Sequence, residues 1–409
     1  MLEYKMKTIR GLSFLFIALI LCCPSVFSME FVYKYNTGDK YRVVSKVSMD
    51  IFIDRRYSFK SEIVNRIAME IIAVSGDKSR QTATFQSAEI TVPADGSGTS
   101  ANTFRWAKDY QSEYDQDSLG RMTIDSSYYM PNVRDVPVFP GKDLAVGETW
   151  AAKGTEVHDF RDNFGIEKPY SIPFTALYTY LGVKTWKDKE YPAFSVSYKI
   201  SVQPPVVRGK VYPRHIQVSS DQTVYWDTEH GQVAAYEEYF RSIFDLSDGQ
   251  TWEYRGKAEA EVLEAPPMDK EEIVKDIAEE IAEIPDATVR VSNQGIVISL
   301  ENIQFAPDSA VLLPGEFSKL DAIAEILLKY PDRDILVGGH TALAGTAAGR
   351  LQLSQERADA VAKYLINKKV RSADRVVIRG YGAEVPIADN RTQEGMQRNR
   401  RVEIVILEN

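Results

Sequence analysis

Residues 334–345, DILVGGHTALAG, and residues 353–365, LSQERADAVAKYL, decide the fold of the C-terminal region of this chain. The first stretch is a short apolar run that ends in two glycines, which is typical of a buried strand entering a tight turn. In the second stretch apolar side chains recur at helical spacing from Leu353 to Leu365, which predicts an amphipathic helix. A strand followed by such a helix favours an α/β layer with helices on one face of a sheet.

Segments on both sides extend this layer. Alternating apolar residues over 289–300 predict a pair of strands, and the spacing of apolar residues over 317–327 predicts a further helix. Short apolar runs at 375–378 and 401–406 predict two more strands. The predicted order is therefore β-α-β-α-β-β within residues 287–409.

Upstream, residues 29–263 carry the period-2 alternation of half-buried antiparallel strands. Residues 194–202 read FSVSYKISV, and apolar residues over 252–262 alternate with charged ones. Turn sequences such as Ser-Gly-Asp at 75–77 separate the runs. The predicted fold class is therefore α+β multidomain, with an N-terminal antiparallel all-β domain, either a sandwich or a curled barrel, followed by the mixed domain.

Residues 264–286 join the two predicted domains. A Pro-Pro pair stops the sheet, and Asp269 with Glu272 three residues later forms an N-cap and its capping-box partner. Eight acidic residues and two lysines fall within residues 264–283, so most of this helix would be a solvated face. We interpret the segment as an acidic helical linker that lies against one domain.

The first 28 residues have the pattern of a secretory signal peptide. Lys5, Lys7 and Arg10 precede an apolar run over residues 12–23, which is too short to span a hydrocarbon core of ~30 Å. Small or β-branched residues at 26–28 would then form the cleavage site. We therefore expect export from the cytoplasm and cleavage after residue 28.

Cys22 and Cys23, the two cysteines of the chain, would leave with this segment. A second interpretation is lipidation of one of them, although Leu21 stands where a lipobox has a small residue. Cleavage also removes three basic residues and one acid, so the formal charge would change from −9 to −11. A chain of this charge does not attract nucleic acid. Its length and its 44% apolar content indicate two or three globular domains.

The sequence contains no recognisable catalytic, metal or cofactor motif. Its four histidines have no partner at metal-ligand spacing, and a mature chain without cysteine has no thiol nucleophile. A phosphate-binding glycine loop and a GxSxG elbow are also absent from the sequence. We therefore expect no enzymatic activity, no cofactor and no metal.

The C-terminal region contains the pieces NIQFAPDSAVLLP (302–314), GHTALAG (339–345), LSQERADAVAKYL (353–365), GYGAEVPIADN (380–390) and EGMQRNRRVEIVI (394–406). In this order and spacing they resemble the OmpA-like peptidoglycan-binding domain, a family that includes the peptidoglycan-associated lipoprotein and the flagellar motor stator anchor. The resemblance covers about residues 287–409 and says nothing about residues 29–262.

The resemblance implies a shallow groove for the peptidoglycan stem peptide, whose carboxylates and ammonium group need a cation, an acceptor and backbone donors. Arg357 lies in the family's L-S-x-x-R-A motif, and its planar guanidinium would bind a carboxylate through two hydrogen bonds. His340, in the same groove, is expected to bond to the backbone. The implied binding residues are Phe305, Ala306, Thr341, Ala342, Arg350, Arg357, Asn399 and Arg400.

Two positions depart from the family pattern. Ala342 stands where the family has Asp after Gly-His-Thr, and Arg350 stands where Asn is common. The missing Asp would receive the ligand's ammonium group, in a charge-assisted hydrogen bond of about 1.5–3 kcal/mol. Arg350 adds positive charge near Arg357. Three outcomes stay open: an altered stem-peptide preference, weaker binding, or a domain retained for packing alone.

The expected function is that of an exported periplasmic or outer-membrane-associated protein, which binds peptidoglycan non-covalently and presents its β-rich domain to another partner. One alternative is an outer-membrane β-barrel tethered to the wall. Another is a scaffold with a lost or altered site, whose β-rich domain binds a lipid or an outer-membrane protein. The aromatic residues of that domain fit core packing, a membrane girdle or a ligand cavity, whereas its charged strand faces favour a soluble domain.

Overall fold

The computed structural model describes residues 28–94, 103–207, 210–264, 268–306 and 309–408. The predicted signal peptide, with Cys22 and Cys23, lies outside the described residues except for Ser28. The chain is mostly β-sheet with few helices, as the sequence predicts at that level. Among the described residues, no helix combines the length and the apolar character that crossing a membrane requires.

Residues 28–264, here called the β-rich part, form one antiparallel succession of strands. Along the sheet the neighbours run β5-β4-β3-β2-β1-β12-β11-β10-β9-β8-β7-β6. One turn of helix, α1 (Arg161–Phe164), lies between β7 and β8. The strands are β1 (Lys40–Ile53), β2 (Arg56–Ser75), β3 (Lys78–Pro93), β4 (Phe104–Asp117), β5 (Met122–Ile124), β6 (Val133–Arg134), β7 (Thr149–His158), β8 (Tyr170–Trp186), β9 (Lys189–Val202), β10 (Pro213–Asp227), β11 (Gln232–Leu246) and β12 (Thr251–Glu264).

Alternation along these strands gives the sheet an apolar inner face and a charged outer face. The sheet curls, so that inner side chains of strands as distant along it as β4 and β7 line one cavity of about 560 Å³. Next to the cavity, an aromatic cluster fills the interior where Phe31, Phe139, Phe194 and Trp226 meet edge to face or stacked. Packing in the core therefore accounts for these aromatic side chains.

Residues 268–408, here called the C-terminal part, form a mixed sheet with neighbours β13-β14-β17-β15-β16. Within this sheet, as far as the structure describes it, β15 and β16 pair in parallel and the other neighbours are antiparallel. Helices α3 and α4 pack on the face that carries Ile298, Val337 and Ile404. The apolar periodicity of the sequence does not predict the short helix at Gln393–Asn399, called α5. The elements are α2 (Lys270–Glu280), β13 (Ala287–Val291), β14 (Gly295–Glu301), α3 (Phe317–Leu328), β15 (Ile335–Gly339), α4 (Ala347–Asn367), β16 (Val376–Gly380), α5 (Gln393–Asn399) and β17 (Arg401–Leu407).

The acidic helix predicted within residues 264–286 is α2. Its N-cap is Asp269, whose side chain accepts a hydrogen bond from the Glu272 amide at 3.1 Å. Ile277 and Ile281 are buried in the same apolar cluster as α3 and α4. The helix therefore packs on the C-terminal part, and the predicted division of the chain into domains stays a prediction.

The two parts contact each other through their sheets. The face of the C-terminal sheet opposite its helices carries Leu336, Val377 and Val405, which pack against Val64 of β2 and Phe104 of β4. Strand β16 also pairs in parallel with the start of β4. The C-terminal sheet is therefore covered on both faces, by its own helices and by the outer surface of the β-rich part.

Candidate functional site

Two glycines allow β15 and β16 to end directly against α4. A Cβ atom on Gly339 would lie 2.0 Å from the carbonyl oxygen of Ser354, and one on Gly380 would lie 2.7 Å from the Ser354 hydroxyl. Residues 340–346 then lead into α4, whose N-cap Thr346 accepts a hydrogen bond from the Gly349 amide. The sequence folds this way locally because only glycine permits such close approach of backbone to backbone.

Polar side chains of α4 hold the neighbouring loop of residues 380–390. The Ser354 hydroxyl accepts a hydrogen bond from the Gly382 amide at 2.9 Å, and the Gln355 side chain accepts one from the Gly380 amide at 2.6 Å. The Thr341 amide in turn donates to the Gly382 carbonyl at 2.8 Å. These contacts join the loop after β15 to the loop after β16, so that the two loops form one rim over the start of α4.

Arg357 lies on α4, one turn after Ser354. Its guanidinium carbon stands 4.8 Å from the centre of the Phe305 ring, and its Nε donates to the Ser309 carbonyl at 3.2 Å. Phe305 pairs with Leu312 in an isolated bridge, and the Ala306 amide donates to the Val311 carbonyl at 2.8 Å. The predicted wall at 305–306 and the predicted cation are thus brought together.

The first loop places Thr341 and Ala342 against the protein interior. Thr341 is buried and its hydroxyl has no hydrogen-bond partner among the described residues. Ala342, at the position that departs from the family pattern, is 6% exposed. Arg350 bends back over the same loop, where one of its terminal nitrogens donates to the Gly345 carbonyl at 2.6 Å. Arg350 therefore stabilises the loop that carries Thr341.

Asn399 is fully buried, and its amide group is engaged within the protein. Its Oδ1 accepts from the amides of Ile387 and Ala388 at 2.8 and 3.0 Å, and its Nδ2 donates to Ala388 O and Asn390 Oδ1. Asn390 Oδ1 also accepts from the Leu343 amide at 3.0 Å. Asn399 thus supports the loop through Asn390, while its neighbour Arg400 is exposed at the end of α5.

Below the rim, a charged cluster is buried on the sheet. The Glu403 carboxylate accepts from Arg401 at 2.9 Å and from Arg290 at 3.1 Å, and it lies 3.7 Å from His340 Nε2. Burial raises the pKa of Glu403, but His340 and Arg401 outweigh it and hold that pKa at about 2. Burial lowers the pKa of His340, whose ring stacks on Tyr381 at 4.7 Å.

The structure therefore brings Phe305 and Arg357 together beside α4, with Ala306 next to Phe305, and it places Thr341, Ala342 and Arg350 in or against the loop after β15. Asn399 lies beneath the rim, and Arg400 faces solvent. Sequence reasoning missed Ser354 and Asn390, because hydrogen bonds that tie two loops have no spacing signal. The predicted binding roles of these residues stay predictions.

The groups available for binding are the Arg357 guanidinium over the Phe305 ring, the buried Thr341 hydroxyl, which has no partner among the described residues, and the backbone of the loops. A guanidinium of this kind can form charge-assisted hydrogen bonds with an anionic group. Within the described ranges, no three His, Cys, Asp or Glu side chains come together as they would around a metal ion.

Comparisons with known proteins identify the same region. Residues 304–400 match the model of the OmpA family. The probable lipoprotein YiaD of Escherichia coli is 38% identical over 120 residues, which are 29% of this chain and 54% of that protein. The peptidoglycan-binding protein ArfA of Mycobacterium bovis is 38% identical over 104 residues, 25% of this chain and 32% of that protein.

An outer membrane protein of known structure from Borrelia burgdorferi is 37% identical, with 30% of this chain and 96% of that chain covered and a TM-score of 0.25. The chain thus spans about half of YiaD and a third of ArfA. Over residues 304–400, this chain contains a domain of the OmpA family.

Proposed function

We propose that this protein is an exported cell-envelope protein whose C-terminal part binds the peptidoglycan stem peptide non-covalently. The observation that carries the proposal is Arg357, held over Phe305 and bonded to the Ser309 carbonyl beside the rim of loops. The Arg357 guanidinium is already ordered before a ligand arrives, and its positive charge attracts a carboxylate. The name of ArfA and the match to the OmpA family support the same ligand.

The absence of a carboxylate at Ala342 shapes the proposed specificity. The rim then has two arginines, Arg350 and Arg357, and Ala342 supplies no acceptor for an ammonium group. We therefore propose a preference for stem peptides that present carboxylate rather than amine at this position. The β-rich part would be held at the wall, and no bond would be made or broken.

The test is co-sedimentation of the chain lacking residues 1–28 with isolated peptidoglycan sacculi. Wild-type protein should pellet, and Arg357→Ala should weaken binding about ten- to a hundredfold, because it loses a charge-assisted hydrogen bond. Arg214→Ala, which removes an exposed arginine of β10, is the matched control and should pellet like wild type.

Ala342→Asp separates the possible outcomes. Restoring the carboxylate should improve binding to sacculi whose stem peptides carry a free amine, by about tenfold. If wild type and Ala342→Asp both stay in the supernatant while circular dichroism shows folded protein, the wall-binding proposal is wrong.

A further inference from the structure

The cavity of the β-rich part has a lining of unusual charge. Most of its wall is aliphatic or aromatic, and its volume of about 560 Å³ falls within the range of about 300–1,000 Å³ typical of ligand pockets. Among the described lining residues, three carry a carboxylate and none carries a basic side chain. The three are Glu156, Glu238 and Glu261.

Two of these carboxylates have a charged or titratable neighbour. Glu261 forms an ion pair with Lys187. Glu156 is 7% exposed, and one of its oxygens lies 3.0 Å from His158 Nε2 while the other accepts from the Tyr198 hydroxyl at 3.3 Å. The charge of Glu261 is thus offset by a lysine, and both oxygens of Glu156 have a close polar neighbour.

Glu238 differs from them. Its carboxylate accepts hydrogen bonds from the Ser220 hydroxyl at 2.6 Å and from the Gln222 amide at 3.3 Å, and both donors are neutral. No described basic side chain forms an ion pair with it. Burial, together with the charge of Glu156, raises the pKa of Glu238, which is the expected sign of a buried acid without a cationic partner.

We propose that the cavity binds an amphiphile with a protonated amine, which places its ammonium group on Glu238 and its apolar body among the aliphatic inner side chains. Val43, Val47, Ile63 and Ile67 on β1 and β2, with Val218 on β10, supply that apolar surface. An ammonium group satisfies the lone pairs that Ser220 and Gln222 leave, and it offsets the repulsion between Glu238 and Glu156. A fatty acid would instead add a third negative charge to the pair.

Isothermal titration calorimetry on the chain lacking residues 1–28 tests this with decylamine and decanoate, both at pH 7 and below micelle formation. Decylamine should bind at least tenfold more tightly than decanoate. Glu238→Gln should lose about tenfold in affinity for decylamine, whereas Asp221→Asn, which removes an exposed carboxylate on the outer face of β10, should bind like wild type.

Ala258→Phe, which fills the cavity from β12, should abolish binding while the circular dichroism spectrum stays that of a folded β protein. Equal binding of decanoate, unchanged affinity in Glu238→Gln or no binding of decylamine to wild type would each overturn the proposal. Sedimentation with sacculi is independent of all three results.

Native mass spectrometry after incubation with vesicles of phosphatidylethanolamine or phosphatidylglycerol distinguishes sources of the amine. Retention of phosphatidylethanolamine would support an amine-bearing lipid headgroup. Binding of decylamine without retention of either lipid would support a smaller amine. Selective retention of phosphatidylglycerol would contradict the proposed charge preference.

Discussion

Glu403 connects the candidate site to the charges of the sheet beneath it. It accepts hydrogen bonds from Arg401 and Arg290 and lies 3.7 Å from His340. Burial raises its pKa, but His340 and Arg401 hold that pKa at about 2. A folded-state pKa below the ordinary value of 4.5 means that the unfolded chain binds the proton more tightly. The stabilisation is therefore complete above pH 4.5 and is lost as the pH falls towards 2.

Acid should for this reason destabilise the C-terminal part, and Glu403→Gln should remove much of that dependence below pH 4.5. The shift from 4.5 to about 2 corresponds to an order of magnitude of about 3 kcal/mol. Urea unfolding followed by helical circular dichroism at pH 7, 4 and 3 measures it. Glu394→Gln, at an exposed carboxylate of α5, is the control. Parallel curves for wild type and Glu403→Gln would contradict this assignment.

Some residues were predictable from the sequence and others were not. The L-S-x-x-R-A motif predicts Arg357 beside Phe305, and the structure brings them together. The same resemblance implies Asn399 as a binding residue. In the structure its side-chain amide already donates hydrogen bonds to the Ala388 carbonyl and to Asn390 Oδ1. Sequence spacing reports which residue types recur, whereas the direction of a side chain depends on the loop that surrounds it.

At the scale of elements, the contact between β15 and α4 depends on the absence of a side chain. The carbonyl of Ser354 occupies the space of a Cβ atom on Gly339. Gly339→Ala should therefore separate strand and helix and lower the free energy of unfolding by roughly 1–3 kcal/mol, the range of overpacked cores. Binding to sacculi should fall with it.

Gly315→Ala gives the comparison, because a Cβ atom there would meet nothing within 4 Å. It should leave both the thermal midpoint and wall binding unchanged. A Gly339→Ala variant with the thermal midpoint of wild type would show that the helix can shift away at no cost.

Periodicity predicts the long elements well and the short ones poorly. Alternation over residues 194–202 matches β9, and the helical spacing within 353–365 matches α4, because each pattern repeats several times. Helix α5 has only seven residues, too few for a recurring apolar stripe. The curl of the sheet around its cavity also leaves no local pattern, since it depends on which strands pair at long range.

At the scale of the whole molecule, a buried ion pair joins the two parts. Arg66 of β2 donates to Asp334 at 2.6 Å and to the Asp374 carbonyl at 2.8 Å, and Arg375 donates to the other oxygen of Asp334 at 2.8 Å. Arg66 is 3% exposed. Removing one member of such a pair leaves a buried charge with fewer partners, which costs about 3–5 kcal/mol where no other partner remains.

Arg66→Ala should therefore weaken the contact between the parts, by less than that range because Arg375 stays on Asp334. Differential scanning calorimetry should show one transition for wild type and two for Arg66→Ala. Lys46→Ala breaks a second ion pair across the same boundary, between Lys46 and Asp374 at 2.5 Å. Lys46 is largely exposed, so this change should cost under about 1 kcal/mol and leave a single transition.

The pairing of β16 with β4 has a mechanical consequence. A pull between a wall held at α4 and a partner held in the β-rich part would load the boundary between the two parts, where β16 pairs with the start of β4. The register there is only two residue pairs long, Val377 with Phe104 and Ile378 with Arg105. We therefore expect force to separate this short strand pairing and the apolar contact around Leu336 first. The longer strand pairs within each sheet would separate later.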